Sequence, residues 1–416
     1  MRERTVTTAE HRDPGPGGTW SRRAVVSGLA ATPVLLAAAC TGGGSGSGGS
    51  GRSGKSPAAS RAQVVVTPAD GSQTVDFTKP VTVAVTGGTI GSVTLTTADG
   101  KPVAGRLAGD GSGWTSSGKL SSGTGYRLSV VAADSDKVQT TRTAAFTTGA
   151  PAKTFIGSYT PEHGTTVGVG MPVSIVFNKP VTDRATVQRG ITVTASPAVP
   201  VAGHWFSDSR LDFRPESYWA PGTRVTLTLA LKDVEGAPGV FGTQVRTVSF
   251  TIGRSQVSVA DLSSHTLTVT RDGRVTQSFP IAGGSPQHTT WGGKMVISEK
   301  LLQTRMNSQT VSLGGEYDIA DVPHAQRLTT SGTFIHGNYW SNPSIFGSQN
   351  TSHGCIGLHD AQGASDGGTP AARFYNSSIT GDVVEVVNSG DRTVSPSNGL
   401  NGWNLDWAAW KAGSAI

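Results

Sequence analysis

The chain repeats itself. Thr67-Pro68 with Gly71 returns as Thr160-Pro161 with Gly164, and Lys79-Pro80-Val81-Thr82 returns as Lys179-Pro180-Val181-Thr182. Arg142-Thr143 with Phe146-Thr147 and Gly149 returns as Arg246-Thr247 with Phe250-Thr251 and Gly253. The offsets are 93, 100 and 104 residues, so the second copy reads as the first with loop insertions. Within the first copy, alternating runs such as Val81-Thr-Val-Ala-Val85 and Arg127-Leu-Ser-Val-Val131 are separated by Asp99-Gly100 and Asp110-Gly111. Period-two alternation buries one face of a strand, and Asp-Gly supplies the left-handed residues of a hairpin turn. Two tandem β-sandwiches are therefore expected, over 63–149 and 150–253.

Modules of this length and strand spacing are expected to be immunoglobulin-like. Neither holds a cysteine, so no disulfide joins their sheets, and Trp114, Trp205 and Trp219 read as core or inter-domain packing. The two cysteines of the 416-residue chain exclude a disulfide-stapled scaffold and any all-Cys zinc or iron–sulfur site. A net charge of +6 without a Lys/Arg block gives no footprint for nucleic acid.

Residues 1–23 are polar and carry five arginines, and an apolar run of sixteen residues follows from Ala24 to Ala39. That run is shorter than the ~20 residues a membrane span requires. A charged leader, a short apolar segment and small residues before a break describe an export signal over 1–40, by the general or the twin-arginine route. Ala37-Ala38-Ala39-Cys40 looks like a lipobox, in which Cys40 would carry lipid and anchor the mature chain on the outer face of the plasma membrane. Twelve of the fourteen residues from 41 to 54 are Gly or Ser, so 41–62 reads as a flexible tether.

A third β-rich segment begins at 254, where Val257-Ser-Val259 and Thr266-Leu-Thr-Val-Thr270 alternate and Asp272-Gly273 sets a hairpin. It holds His336-Gly337-Asn338-Tyr339-Trp340 and then Ser352-His353-Gly354-Cys355-Ile356. Three readings fit these residues. Cys355 is a buried inert thiol with surface histidines; or His353, Cys355 and His359 hold a metal, although their spacing matches no strong zinc signature; or a Cys–His pair carries out acyl transfer. For the last, a tight turn at a strand end would expose the thiol beside converging N–H groups, and in an extended segment His353 and Cys355 would share a face. Either His353 or a sequence-distant His could then activate the thiol.

His336 followed by Ser352-His353-Gly354-Cys355 resembles the L,D-transpeptidase (YkuD-type) signature, and the resemblance covers most of 254–416. It extends to Asp261-Leu-Ser-Ser-His265 and to Gly381-Asp382-Val-Val-Glu-Val-Val387. The arrangement looks like the multidomain actinobacterial branch, with a catalytic domain over 254–390 and a C-terminal extension over 391–416. Trp403, Trp407 and Trp410 in that extension are spaced to line one face of a short helix packed on neighbouring domains. The resemblance implies Cys355 as nucleophile and His336 as general base, oriented by the carbonyl of Gly337. It implies that His353 shapes the nucleophile turn and that the Gly354 and Cys355 N–H groups bind the oxyanion. It also implies a lid between about Leu301 and Ser331, with Tyr317 and Met306 lining the substrate tunnel and Trp340 and Ser352 flanking its opening.

The sequence departs from the family pattern at Gly357, where Arg or Asn is usual, and at Thr290-Trp291-Gly292-Gly293, which lacks the usual Pro. The expected activity is formation of 3→3 peptidoglycan cross-links through a Cys thioester, without metal or organic cofactor. The implied partners are peptidoglycan stem peptides, as donor tetrapeptide and acceptor amine, with carbapenem β-lactams as inhibitors. L,D-carboxypeptidase activity and a non-catalytic cell-wall binding lipoprotein are the alternatives.

Overall fold

The computed structural model describes residues 59–311 and 314–416. The export signal with Cys40 and most of the Gly/Ser tether lie outside the described residues. The described chain is mainly β.

In the first sandwich, strands Gln63–Thr67, Thr82–Thr86, Gly113–Ser116 and Gly105–Leu107 form one sheet in that order. Pro102–Val103, Thr89–Thr97, Gly125–Ala133 and Gln139–Thr147 form the other. Alternation sets the core: Tyr126, Leu128, Val130 and Ala132 are buried, while the residues between them reach the surface. The second sandwich repeats the plan, with Gly157–Thr160, Val173–Phe177, Arg210–Arg214 and Ala202–Trp205 against Thr166–Val167, Val245–Ile252, Arg224–Ala230 and Ile191–Ser196.

Two of the three sequence echoes occupy equivalent places. The Gly71 N–H donates to Ala145 O and the Gly164 N–H to Ser249 O, each at 2.8 Å, so both modules tie the first turn to the last strand. The Lys-Pro-Val-Thr echo is not equivalent. Lys79-Pro80 precedes the strand that pairs with Gln63–Thr67, whereas Lys179-Pro180 follows the strand that pairs with Gly157–Thr160. Thr67 faces Thr82 and Thr160 faces Ser174, so the offset has not grown at that point; the apparent insertion comes from matching two different turns. The modules meet through Phe241, which is buried in the first module's core and packs edge-on against Phe77 at 4.9 Å.

Beyond 254 a five-stranded sheet runs Arg274–Pro280, Thr266–Arg271, Gln256–Asp261, Val383–Val387 and Gly293–Val296. A four-stranded sheet runs Glu299–Asn307, Asp318–Arg327, Phe334–Asn338 and Ile356–His359. One core joins both, with Leu267, Val269, Met295 and Val384 from the first and Ile335, Ile356 and Leu358 from the second. Glycines let this region approach the second sandwich: the Gly170 N–H donates to Gly381 O at 2.9 Å, and a Cβ on Gly168 would lie 2.3 Å from Asp382 N.

The C-terminal segment staples the two together. Asn401 and Asn404 accept the Val296 and Lys294 N–H groups, while Trp410 is fully buried against His204 and Phe206 of the second sandwich. The three tryptophans do not share one helix. Trp403 lies on a short 3-10 turn, Gly402–Asn404, an extended Leu405 breaks the path, and only Trp407 and Trp410 stand on the helix Trp407–Ala412. They converge because Arg214 lies among them, its guanidinium carbon 4.6 Å from the Trp403 ring, 4.4 Å from Trp410 and 5.5 Å from Trp407. Arg214 is 2% exposed and bonds only carbonyl oxygens, those of Pro215, Glu216 and Leu405.

Trp410→Ala should remove about 3–5 kcal/mol of stability, the usual cost of emptying a buried tryptophan site. Denaturant unfolding gives the size of the loss, and hydrogen exchange should show protection falling first in residues 401–416.

Candidate active site

Two parallel strands build the site. Phe334–Asn338 pairs with Ile356–His359 so that Ile335 faces Ile356 and His336 faces Gly357. Cys355 ends the turn that enters the second strand, and the Phe334 N–H points at its Sγ from 3.4 Å. His336 and Cys355 thereby line one cleft with Ala282, Asn338, Trp340 and Gly357. Met306, Tyr317, Ile319 and Val322 complete its wall from the antiparallel hairpin of Glu299–Asn307 and Asp318–Arg327. The cleft is partly open to solvent, and its empty space, counted out into that opening, is about 700 Å³.

The nucleophile segment is a turn rather than an extended run. Gly354 has φ of +107°, a conformation costly for any residue with a Cβ. The Ser352 hydroxyl accepts the Gly354 N–H at 3.2 Å and donates to Cys355 O at 2.5 Å, which locks the turn. The Gly354 N–H is thus already engaged, and among the described residues no acceptor takes the Cys355 N–H. Both His353 and Cys355 still reach the cleft.

The two histidines differ in what they can offer. His336 is buried, and its Nδ1 lies 2.8 Å from Gly337 O. A carbonyl only accepts, so the proton sits on Nδ1 and Nε2 is left bare as a base. His353 is 37% exposed and its Nε2 is paired to Glu316 at 3.0 Å. His359 packs against Phe346 and takes no part in a cluster with His353 and Cys355. Trp340 stacks on His336 at 5.9 Å and Tyr317 tilts over His353 at 5.0 Å.

Burial pushes the Cys355 thiol up to about 11, only partly opposed by the Phe334 N–H. Burial also pulls His336 below its ordinary value, against the Gly337 carbonyl and the charge of Asp360. Near neutral pH the pair therefore rests as thiol and neutral imidazole, not as an ion pair.

Asp360 and His324 were not marked by any sequence pattern. His324 Nδ1 lies 2.8 Å from Asp360 Oδ2, the Thr369 hydroxyl donates to Oδ1 at 2.7 Å, and both members of the pair are buried. The carboxylate lies directly behind the histidine strand, where a Cβ on residue 337 would meet it at 1.9 Å. Only glycine fits at Gly337. Thirty-six residues separate the partners, so no local motif could have shown the pairing.

Residues 255–386 match the L,D-transpeptidase catalytic domain, and residues 72–235 match a bacterial Ig domain. The chain is 32% identical over 407 residues to L,D-transpeptidase 2 of Mycobacterium tuberculosis (strain CDC 1551 / Oshkosh), covering 96% of this chain and 97% of the relative. It is 32% identical over 356 residues to L,D-transpeptidase 5 of M. tuberculosis (strain ATCC 25618 / H37Rv), covering 84% and 76%. A solved L,D-transpeptidase in complex with imipenem is 31% identical, spanning 57% of this chain and 100% of that one with a TM-score of 0.48. With near full-length similarity, a matched catalytic domain and a cleft built on one thiol, this chain is an enzyme and belongs to the L,D-transpeptidase family.

Proposed function

We propose that the enzyme forms 3→3 cross-links between peptidoglycan stems through a thioester on Cys355. The observation that carries this reading is a His336 ring with its Nε2 bare, on a strand paired in parallel to the one that Cys355 leads into. In the first half-reaction Sγ bonds to the carbonyl carbon of the third stem residue while His336 Nε2 takes the thiol proton. The Cys355 N–H stabilises the oxyanion, with Gly354 acting through the turn it allows. The carbon–nitrogen bond to the terminal D-Ala then breaks, and His336 returns the proton to the departing amine. In the second half-reaction a side-chain amine of a neighbouring stem attacks the thioester, its proton passes by His336 to the sulfur, and an amide forms. Met306 and Tyr317 hold the donor stem under the hairpin, Trp340 and Ser352 border the entrance, and His353 keeps the turn in place. Keeping water from the thioester is the hairpin's part in this scheme.

Upstream of this unit we place two immunoglobulin-like spacers, over 63–149 and 150–253, and the tether of 41–62. Lipid on Cys40 would hold the protein at the outer face of the plasma membrane, where the spacers carry the cleft towards the wall. Carbapenems should acylate the same thiol.

Gly357 favours a second reading, hydrolysis of the thioester to give L,D-carboxypeptidase activity. A Cβ there would meet its nearest neighbours, Ala282 O and Asn338, at 3.7 Å, which is ordinary contact, so the position has room that no side chain fills. Water can use that space.

Three outcomes are expected. Purified enzyme with tetrapeptide muropeptides should yield 3→3 dimers and, with a carbapenem, a mass increase on Cys355; Cys355→Ala should lose both, and dimers from that variant would sink the assignment. Gly357→Asn should raise the ratio of dimer to tripeptide, read by chromatography of the same digest. The thiol of a neutral pair should react with iodoacetamide at a rate that keeps climbing beyond pH 9 towards its value of about 11. A plateau below neutral pH would instead mean a preformed thiolate.

A further inference from the structure

Three side chains from separate segments converge at the rim of the cleft. His288 Nε2 lies 3.3 Å and His353 Nε2 3.0 Å from the same oxygen of Glu316. The two imidazole rings have centroids 4.9 Å apart, and the donor atoms of all three residues lie within 4.8 Å of one another. The histidines stand on a joined frame. The His288 N–H closes a turn onto Ser285 O at 3.0 Å, and the Ser285 N–H donates to Ser352 O at 2.8 Å, next to His353. Glu316 comes from the other side, in the connection between the two strands of the hairpin.

We infer that His288, Glu316 and His353 form a site for a divalent transition metal, zinc above all, which when filled clamps the hairpin to the nucleophile turn and closes the cleft. Two imidazole nitrogens and one carboxylate oxygen are a common three-residue zinc donor set, with water as the fourth ligand. Zinc bonds of about 2.0–2.2 Å in a tetrahedron put neighbouring donors about 3.3 Å apart. The two separations to Glu316 already match, and the remaining one closes by rotation of the rings. The side chains are 28%, 45% and 37% exposed in sequence order, so an ion arrives from solvent and keeps room for water. Calcium and magnesium prefer oxygen donors and have little use for two imidazoles.

The ion would not be a cofactor. Neither Cys355 nor His336 belongs to the donor set. Its effect runs through the hairpin: Tyr317, the residue after Glu316, packs on the His353 ring and lines the cleft with Cys355. Tying Glu316 to His353 holds that ring across the entrance. Sequence spacing could not show the site, because its members are 28 and 37 residues apart on three segments.

The test uses metal-free, full-length protein. Calorimetric titration with zinc chloride should give one ion per chain, with His288→Ala and Glu316→Gln each weakening binding by at least about tenfold, as loss of one ligand should. Cys355→Ser should bind as the wild type does. Zinc should slow carbapenem acylation of the wild type and not that of His288→Ala, which should react at the wild-type rate without zinc. Absence of binding at millimolar zinc overturns the proposal. Binding that survives both ligand variants but is lost in Cys355→Ser also overturns it, because the ion would then sit on the thiol. The inhibition, though not the binding, rests on the transpeptidase reading. Failure of the carbapenem to label wild type without zinc would count against that reading while calorimetry still decides the metal site.

Discussion

The parallel pairing of Phe334–Asn338 with Ile356–His359 is the constraint on which the rest of the catalytic region depends. Parallel neighbours cannot be joined by a tight turn, so the chain must leave the sheet and return between them. The excursion from Tyr339 to Cys355 supplies Trp340 and Ser352 on the way and brings the thiol back beside the strand that carries His336. Register then does the positioning. A slip of one residue would turn His336 to the opposite face, towards Asp360, and send Gly337 into the cleft. Glycine at 337 and the buried Asp360 behind it both reinforce the observed register, since the reverse placement would drive a side chain into the carboxylate.

A site with a thiol and a neutral imidazole has a particular economy of charge. Burial disfavours the ionised form of either group, raising the Cys355 thiol and lowering His336. At the rim, the Glu316 carboxylate lies between His288 and His353.

The second sandwich and the catalytic region are held together by a buried cation without a carboxylate partner. Arg214 loses hydration on burial, which lowers its guanidinium to about 10, yet it stays charged at neutral pH. Three tryptophan faces and three carbonyl oxygens replace the lost water. Because Trp403 and Trp410 come from the C-terminal segment and Arg214 from a sandwich strand, this cluster, with the asparagine bonds to Lys294 and Val296, joins the catalytic sheet to its support.

Alternation and turn residues were enough to show a mainly β chain with tandem sandwiches, because a strand's buried face is written in every second residue. The motif around His336 and Cys355 was legible for a similar reason, since the residues and the chain between them lie in one short stretch. What needed tertiary structure were relations between distant segments. Lys79-Pro80 and Lys179-Pro180 look alike but flank their strands on opposite sides, and the tryptophan spacing suggested one helix where a cation gathers two elements. His324 with Asp360, and Glu316 with its two histidines, are pairings no local pattern records. The sequence by itself determined which residues can carry the chemistry. The fold decided which nitrogen is bare, which N–H is free and what guards the entrance, because these depend on hydrogen bonds that form only when separate strands and turns are brought together.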